Sequence, residues 1–435
     1  MNDAVLCARI DALKHNLEGA LQCQNLFKED MSKNIYQHIS WKIMLFALLD
    51  GTIGVEATKY ISELKNIHET ISKHGSDNII LCQAWANYYN IYNNSQKIFL
   101  ECLELIGSIA IRNYRLDSNI YKIADELIKN CSLNCTGDLW YSIVVPAHQE
   151  SKEKTKTSII RHRFPDWSIW SIPILVREFG NILLDHKKFE TFFNEEIEYI
   201  TRMGKSAYQK GDQNMPRWKV ENYFRAIFSD AFATYFMGPA YAFSTIFQRL
   251  NPCSCNLEDY HPTDKERAYV IIFMLKMLNK EEIKNGINSP YEKIIETLEE
   301  KWNSFINEVD PQEGFYREDV LNKIVNDICI QLGNALRTPA RYPSTGEFDG
   351  WGIAQNWYIE WEKQLRKDGM SGKILITNKV YPNSKLRDVF NAAWLCRVNN
   401  PEYVKIIADA AMQLSEKIIN QQEHFGQNLG QSELE

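Results

Sequence analysis

Residues 164–186 read FPDWSIWSIPILVREFGNILLDH, and the fold turns on this stretch. An aromatic lead-in runs into a helix expected over about Ser171–Leu184. Pro173 is tolerated in its first turn, where a proline's missing N–H would have had no helical partner. Ile172, Leu175, Val176, Phe179, Ile182 and Leu183 recur at helical spacing and form the face to be buried. Arg177, Glu178, Asn181 and Asp185 fall on the opposite side. Positions 177 and 181 lie four apart, so their side chains share one helix face. The polar stripe has two readings, a solvated surface or the wall of a cleft.

Composition narrows the class around that helix. The chain has 435 residues, 45% of them hydrophobic and 24% charged, the range of a soluble globular protein. A net charge of -7 argues against a broad basic surface for nucleic acid. The start, MNDAVLCARIDALKHN, lacks a basic segment followed by an apolar one, so no signal peptide is expected. No apolar run reaches the roughly 18–20 residues of a membrane span. Ten scattered cysteines suit reduced thiols in a cytoplasm better than a disulfide framework. The close pairs Cys131/Cys135 and Cys253/Cys255 read as buried or loop thiols, since their spacing differs from that of a zinc ribbon.

The segment before the central helix is mainly helical. Leu13, Leu17, Leu21 and Leu26 begin one apolar face, Ile43 to Leu49 continue the core, and Ile61, Leu64, Ile67 and Ile71 show 3–4 spacing. A longer helical stretch over Ile80–Ile111 carries Trp85, Tyr88, Tyr89 and Tyr92, read as core and rim. Leu116 to Cys131 is again helical. Trp140 to Pro146, short, aromatic and β-branched, is read as a strand that Pro146 ends. His148 and the charged loop Glu150–Lys156 are read as exposed.

Beyond the central helix, Glu221–Tyr241 forms a second helix closed by Gly238-Pro239. Thr263 and Glu266 form a capping box that opens another. Tyr291–Val309 and Arg317–Leu336 are helical, Arg337–Gly352 reads as a long loop, and Trp357 and Trp361 share a face read as core. Arg387–Ile419 is a final helical pair, followed by a polar, frayed tail from Gln421 to Glu435. There is no Walker loop, no G-x-G-x-x-G and no G-x-S-x-G elbow.

Five short matches in order carry a resemblance: Arg163-Phe-Pro-Asp166, Arg177-Glu-Phe-Gly-Asn181, Ala226-Ile-Phe-Ser-Asp-Ala-Phe-Ala233, Gly238-Pro-Ala240 and His261-Pro-Thr-Asp264. Over about Leu116–Leu278 the chain resembles a family of bacterial proteins with a gluzincin-type zinc metallopeptidase site. In that family a His-Glu-x-x-His helix supplies two zinc ligands and a Glu that activates water. A second helix adds a Glu ligand, and an Asp four residues on orients the first histidine. Here Glu178 and Asp230 are kept, while the three ligand positions hold Arg177, Asn181 and Ala226. Arg has no lone pair to offer, Ala has no ligand atom, and Asn offers only a neutral carbonyl.

The resemblance implies a mostly α fold, a zincin-like helical core with a small edge β element, flanked by helical regions. The expected division is 1–115, 116–278 and 279–435. It implies a pseudo-metallopeptidase with no catalytic residues, metal or cofactor, serving as a binding or scaffold subunit with a protein partner in a cytoplasmic bacterial assembly. Glu178, Asp230 and His261 would be vestigial. An alternative is a metal-dependent hydrolase rebuilt on those same three residues. A third is an accessory or regulatory subunit of a prokaryotic defence system, which no residue supports directly. In place of the metal-bound histidine, Arg177 is expected to form a salt bridge with Asp230, bidentate in its planar fork, with Glu178 as a second acceptor.

Overall fold

The computed structural model describes residues 3–33, 50, 54–74, 77–113, 119–137, 143–147, 159–163, 168–203, 216–251, 261–307, 317–342, 350–367, 374–376, 380–381 and 383–432. The fold is mostly α: among these residues the only strands are two short ones. None of the described helices is long and apolar enough to cross a membrane. The chain divides into two compact units, residues 1–119 with 141–165, and residues 120–140 with 166–435.

In the first unit, α1 (Asp3–Lys33), α2 (Val55–His74) and α3 (Asn78–Asn113) bury one stripe each. Leu6, Ile10, Leu13 and Leu17 meet Ala57, Leu64 and Ile71, and Leu81, Ala84, Tyr88 and Ile91 complete the core. The 3–4 spacing thus reports the buried faces directly. Tyr88 is core, Trp85 is partly buried, and Tyr89 and Tyr92 are exposed. Strand β1 (Ile143–Ala147) pairs in parallel with β2 (Ile159–Arg163), from Ile143 opposite Ile159 to Ala147 opposite Arg163. Pro146 lies inside β1 rather than ending it, as an edge position permits. The strands are tied to α3: Ser108 donates to Pro146 O, Arg112 donates to Val144 O, and Arg161 pairs with Glu104 at 3.3 Å. Ile43–Leu49, Trp140–Ser142, His148, the 150–156 loop and Phe164–Trp167 lie outside the described residues.

The second unit is built around α7 (Arg217–Met237), in which every residue from Tyr223 to Met237 is buried. Phe224, Phe228, Phe232 and Phe236 recur every fourth position and form a ladder with ring centroids 6.3–6.4 Å apart. A helix with no solvent face must be covered on all sides. The cover comes from α5 (Leu175–Leu183), α6 (Lys187–Met203), α9 (Asp264–Lys284) and α11 (Glu318–Ala335). Around the adjoining α8 (Pro239–Gln248) lie α10 (Glu292–Asn307) and α13 (Leu386–Asn399). Helices α4 (Ile120–Thr136), α12 (Trp351–Lys367) and α14 (Val404–Ser432) complete the unit.

This differs from the three-part division expected from sequence. The strand belongs with the N-terminal helices, and residues 279–435 share the unit of the central helix because they supply the cover that α7 and α8 need. Trp357 and Trp361 are fully buried, as their spacing indicates. Trp351 and Gly352, expected in a loop, open α12. Of the tail from Gln421 to Glu435, residues 421–432 continue α14, and 433–435 lie outside the described residues. No proline interrupts the helix, and an existing helix extends at little cost per residue.

A buried polar knot holds the turn between α7 and α8. Gly238 has φ +64, and a Cβ there would lie 2.6 Å from the Tyr342 ring, so glycine is required twice over. Asn391 of α13 donates to Met237 O at 2.8 Å and accepts from Ala240 N at 2.8 Å, bridging the turn. Arg387 donates to Phe236 O, Ala340 O and Pro339 O. Asn391→Leu keeps the branched heavy-atom skeleton and removes the side-chain partners of two buried backbone groups. It should cost on the order of 2–4 kcal/mol, measured as a shift of the denaturant midpoint.

Glu196 marks the packing of α6 on α11. Burial, and then the nearby Asp327, push its carboxyl up to about 7, with Lys323 opposing. A raised carboxyl holds its proton more tightly in the folded state. Stability is therefore lost as pH rises from about 4.3, the unfolded value, to about 7, and stays lower above it. Glu196→Gln should match the parent at pH 4 and exceed it at pH 8 by up to about 3 kcal/mol, read from urea unfolding at the two pH values.

Candidate functional site

The central helix enters through a 3-10 turn, Ile172–Ile174, which accommodates Pro173, and then becomes α5. Its apolar face is buried as expected, save that Ile182 is half-buried. The polar stripe is solvated only at its end, where Asp185 is exposed. Arg177, Glu178 and Asn181 are half-buried, and Arg177 and Asn181 make polar contacts with α7. Gly180 allows the close crossing, since a Cβ there would sit 2.7 Å from the Phe232 ring and 3.3 Å from Ser229 Cα.

Asp230 lies in the middle of α7 with its side chain fully buried. Arg177 Nε donates to its Oδ1 at 3.0 Å, which is the expected salt bridge. Arg177 Nη1 donates to Glu178 Oε1 at 2.9 Å, so Glu178 is the second acceptor. The bidentate fork, however, comes from Arg267 on α9, with Nε to Oδ2 at 2.8 Å and Nη2 to Oδ1 at 3.1 Å. Arg177 contributes a single bond to Asp230, and its Nη1 turns to Glu178. Tyr241 of α8 donates its hydroxyl to Oδ1 at 2.5 Å. Arg267 also reaches Asp264 at 3.5 Å. Charges thus alternate from Glu178 through Arg177, Asp230 and Arg267 to Asp264, joining α5, α7 and α9.

The electrostatics follow from that geometry. Burial alone would raise the Asp230 carboxyl, but Arg267 and Arg177, with hydrogen bonds from Arg267 and Tyr241, hold it below the ordinary carboxylate value. Burial, and then the Asp230 charge, push the Tyr241 phenol well up. The carboxylate is therefore ionised and engaged by four donated hydrogen bonds.

The other expected site residues are placed as follows. Asn181 lies beside Arg225 of α7, whose Nη1 is 3.4 Å from Asn181 O and 3.5 Å from its Oδ1. Arg225 pairs with Asp185 at 2.5 Å and stands over the Phe193 ring, so it caps the C-terminal end of α5. Ala226 is 5% exposed. His261 is half-buried just before α9, which opens on the expected capping box of Thr263 and Glu266. Among the described residues no three of His, Cys, Asp and Glu are grouped to hold a metal, so Glu178, Asp230 and His261 do not form such a group. Cys131 and Cys135 are buried with sulfurs 4.0 Å apart, and burial pushes the Cys131 thiol well up. Cys253 and Cys255 lie outside the described residues.

Sequence reasoning missed Arg267, Tyr241 and Arg225. Arg267 sits in the charged first turn of a capped helix, where a cation ordinarily reads as solvated. Asp264, three residues earlier, was legible as a helical neighbour, whereas Asp230, 37 residues away, was not. No protein-family profile, no curated protein and no solved structure matches this chain.

Removing the carboxylate should be costly, because two half-buried guanidiniums lose the buried charge they share and keep only Glu178 and Asp264 at the ends of the row. Asp230→Ala should cost about 3–5 kcal/mol. Arg267→Met should cost more than Arg177→Met, and each should couple to Asp230→Ala by more than about 0.5 kcal/mol in a double-mutant cycle. Because the folded Asp230 carboxyl lies below its unfolded value of about 3.9, its contribution is present above that pH and lost as pH falls through the folded value. Asp230→Asn should accordingly show a shallower loss of stability below pH 4 in urea titrations.

Proposed function

We propose that this chain is a non-catalytic protein patterned on a zinc metallopeptidase, and that it serves as a binding or scaffold subunit for a protein partner in a cytoplasmic bacterial assembly. The observation that carries the reading is the environment of Asp230. In the resemblance this carboxylate orients a metal-bound histidine. Here two guanidiniums and a phenol occupy its lone pairs. Arg177 and Arg267 also place two positive charges where a metal site would need ligands, so a divalent cation would meet repulsion. Ala226 offers no ligand atom, and Asn181 lies against Arg225. What remains is a rigid crossing of α5, α7 and α9, suited to holding a surface in shape.

Two measurements test the reading on the full chain. Elemental analysis of protein purified without chelator should find no stoichiometric zinc. About one zinc per chain, lost in Glu178→Gln or His261→Ala, would overturn the reading in favour of a hydrolase. Tagged chain recovered from its native cells should bring down a partner in fixed ratio, equally well with Glu178→Gln. A chain recovered alone would overturn the scaffold role.

A further inference from the structure

A second feature of the 120–140 and 166–435 unit lies away from the Asp230 cluster, in the last turn of α13. Arg397 sits there against two indoles, its Cζ 4.6 Å from the ring centroid of Trp170 and 4.7 Å from that of Trp394. The two rings meet edge to face at 70°, with centroids 5.3 Å apart, and both are buried. The Trp170 carbonyl accepts from Ser244 Oγ at 2.8 Å, which ties it to α8. Packing therefore holds the cation in one place.

What Arg397 lacks is an acceptor. In the same unit Arg177 and Arg267 meet Asp230, Arg225 meets Asp185, Arg341 meets Glu281, and Arg387 donates to three carbonyls. Among the described residues Arg397 has neither an ion pair nor a hydrogen bond. Burial pulls its guanidinium below the ordinary arginine pKa, and no carboxylate acts against that. Ring faces and the C-terminal end of a helix favour a cation, but here neither takes its N–H groups. Arg397 is only half-buried. Of its three nitrogens Nη1 is enclosed, which leaves the Nε–Nη2 edge open to solvent. That edge is the fork that matches two oxygens of one oxyanion. Arg267 uses the same two nitrogens on Asp230.

We propose that the Nε–Nη2 edge of Arg397 is a binding subsite for the carboxylate of a ligand. Charge selects this class over phosphate. One guanidinium neutralises one negative charge, whereas a phosphate monoester carries about -1.5 to -2 at neutral pH. The chain carries a net charge of -7, and α13 ends at Asn399, so the negative end of its dipole lies within a turn of Arg397. A second negative charge would be repelled. A free organic acid and an acidic side chain of a protein present the same group, and the test separates them. The subsite stands whether or not the chain has a protein partner.

The test uses the full chain with isotope-labelled arginine and tryptophan, followed by NMR at an ionic strength held constant with chloride. Acetate should shift the Arg397 side-chain signal, identified by its loss in Arg397→Lys, and saturate with a Kd on the order of 10 mM, as one unaided fork gives. Inorganic phosphate should bind at least about threefold more weakly. An end-capped pentapeptide Ala-Ala-Glu-Ala-Ala should bind, and its Gln counterpart should not. Binding of the Glu peptide more than about tenfold tighter than acetate assigns the subsite to a protein side chain, and no gain over acetate assigns it to a free acid. Acetate should also shift the Trp170 and Trp394 indole signals, and Arg397→Gln should abolish those shifts. Arg397→Lys, which keeps the charge and loses the fork, should weaken binding about fivefold. The proposal is overturned if neither acetate nor the Glu peptide gives a saturable shift, if phosphate binds as tightly as acetate, or if the indole shifts persist in Arg397→Gln. Should Arg397→Gln fail to fold, undiminished acetate binding by Arg397→Lys overturns it equally.

Discussion

An ionised carboxylate in the middle of a helix with no solvent face is the constraint on which the second unit depends. Asp230 cannot be buried there without compensation, because an unpaired charge in a low-dielectric interior costs several kcal/mol. Its compensation comes from three other helices: Arg177 from α5, Arg267 from α9 and Tyr241 from α8. Each of those helices must therefore stand at one height and rotation relative to α7. The apolar ladder of Phe224, Phe228, Phe232 and Phe236 gives α7 its burial, but a hydrophobic contact tolerates sliding. The directional bonds to Asp230 do not.

The same logic recurs where α7 ends. The turn at Gly238-Pro239 exposes the last carbonyls of one helix and the first N–H groups of the next, in a place that water does not reach. Asn391 and Arg387, on a helix about 150 residues further on, satisfy them. Arg387 also stands over the rings of Phe236 and Tyr342, so its cation is stabilised by aromatic faces. The two polar anchors, one at the centre of α7 and one at its end, make the C-terminal helices part of the same body as the central helix.

This arrangement bears on function through what it prevents. In a metal site the polar stripe of α5 would face an ion and a substrate. Here Arg177 and Asn181 of that stripe face α7, with Arg177 on Asp230 and Arg225 on Asn181 and Asp185. Ion pairing through Asp230 fixes how α5, α7 and α9 cross.

By itself the sequence determined the helices. Their positions follow from apolar residues three and four apart, from the capping box of Thr263 and Glu266, and from the Gly238-Pro239 stop, all of them local signals that act within one or two turns. It also pointed to the Arg177–Asp230 pair, through a motif whose two halves are recognisable separately. Tertiary structure alone decided the rest. Arg267 takes the bidentate place on Asp230, Arg225 answers Asp185, β2 pairs with β1 although its Ile-Ile-Arg-His-Arg has no alternating pattern, and residues 279–435 join the central core. The physical reason is one of range. Periodicity reports which face of a helix is buried, but not against what, and a charged residue in a helix's first turn looks the same in sequence whether it meets water or a buried carboxylate from a helix 37 residues away.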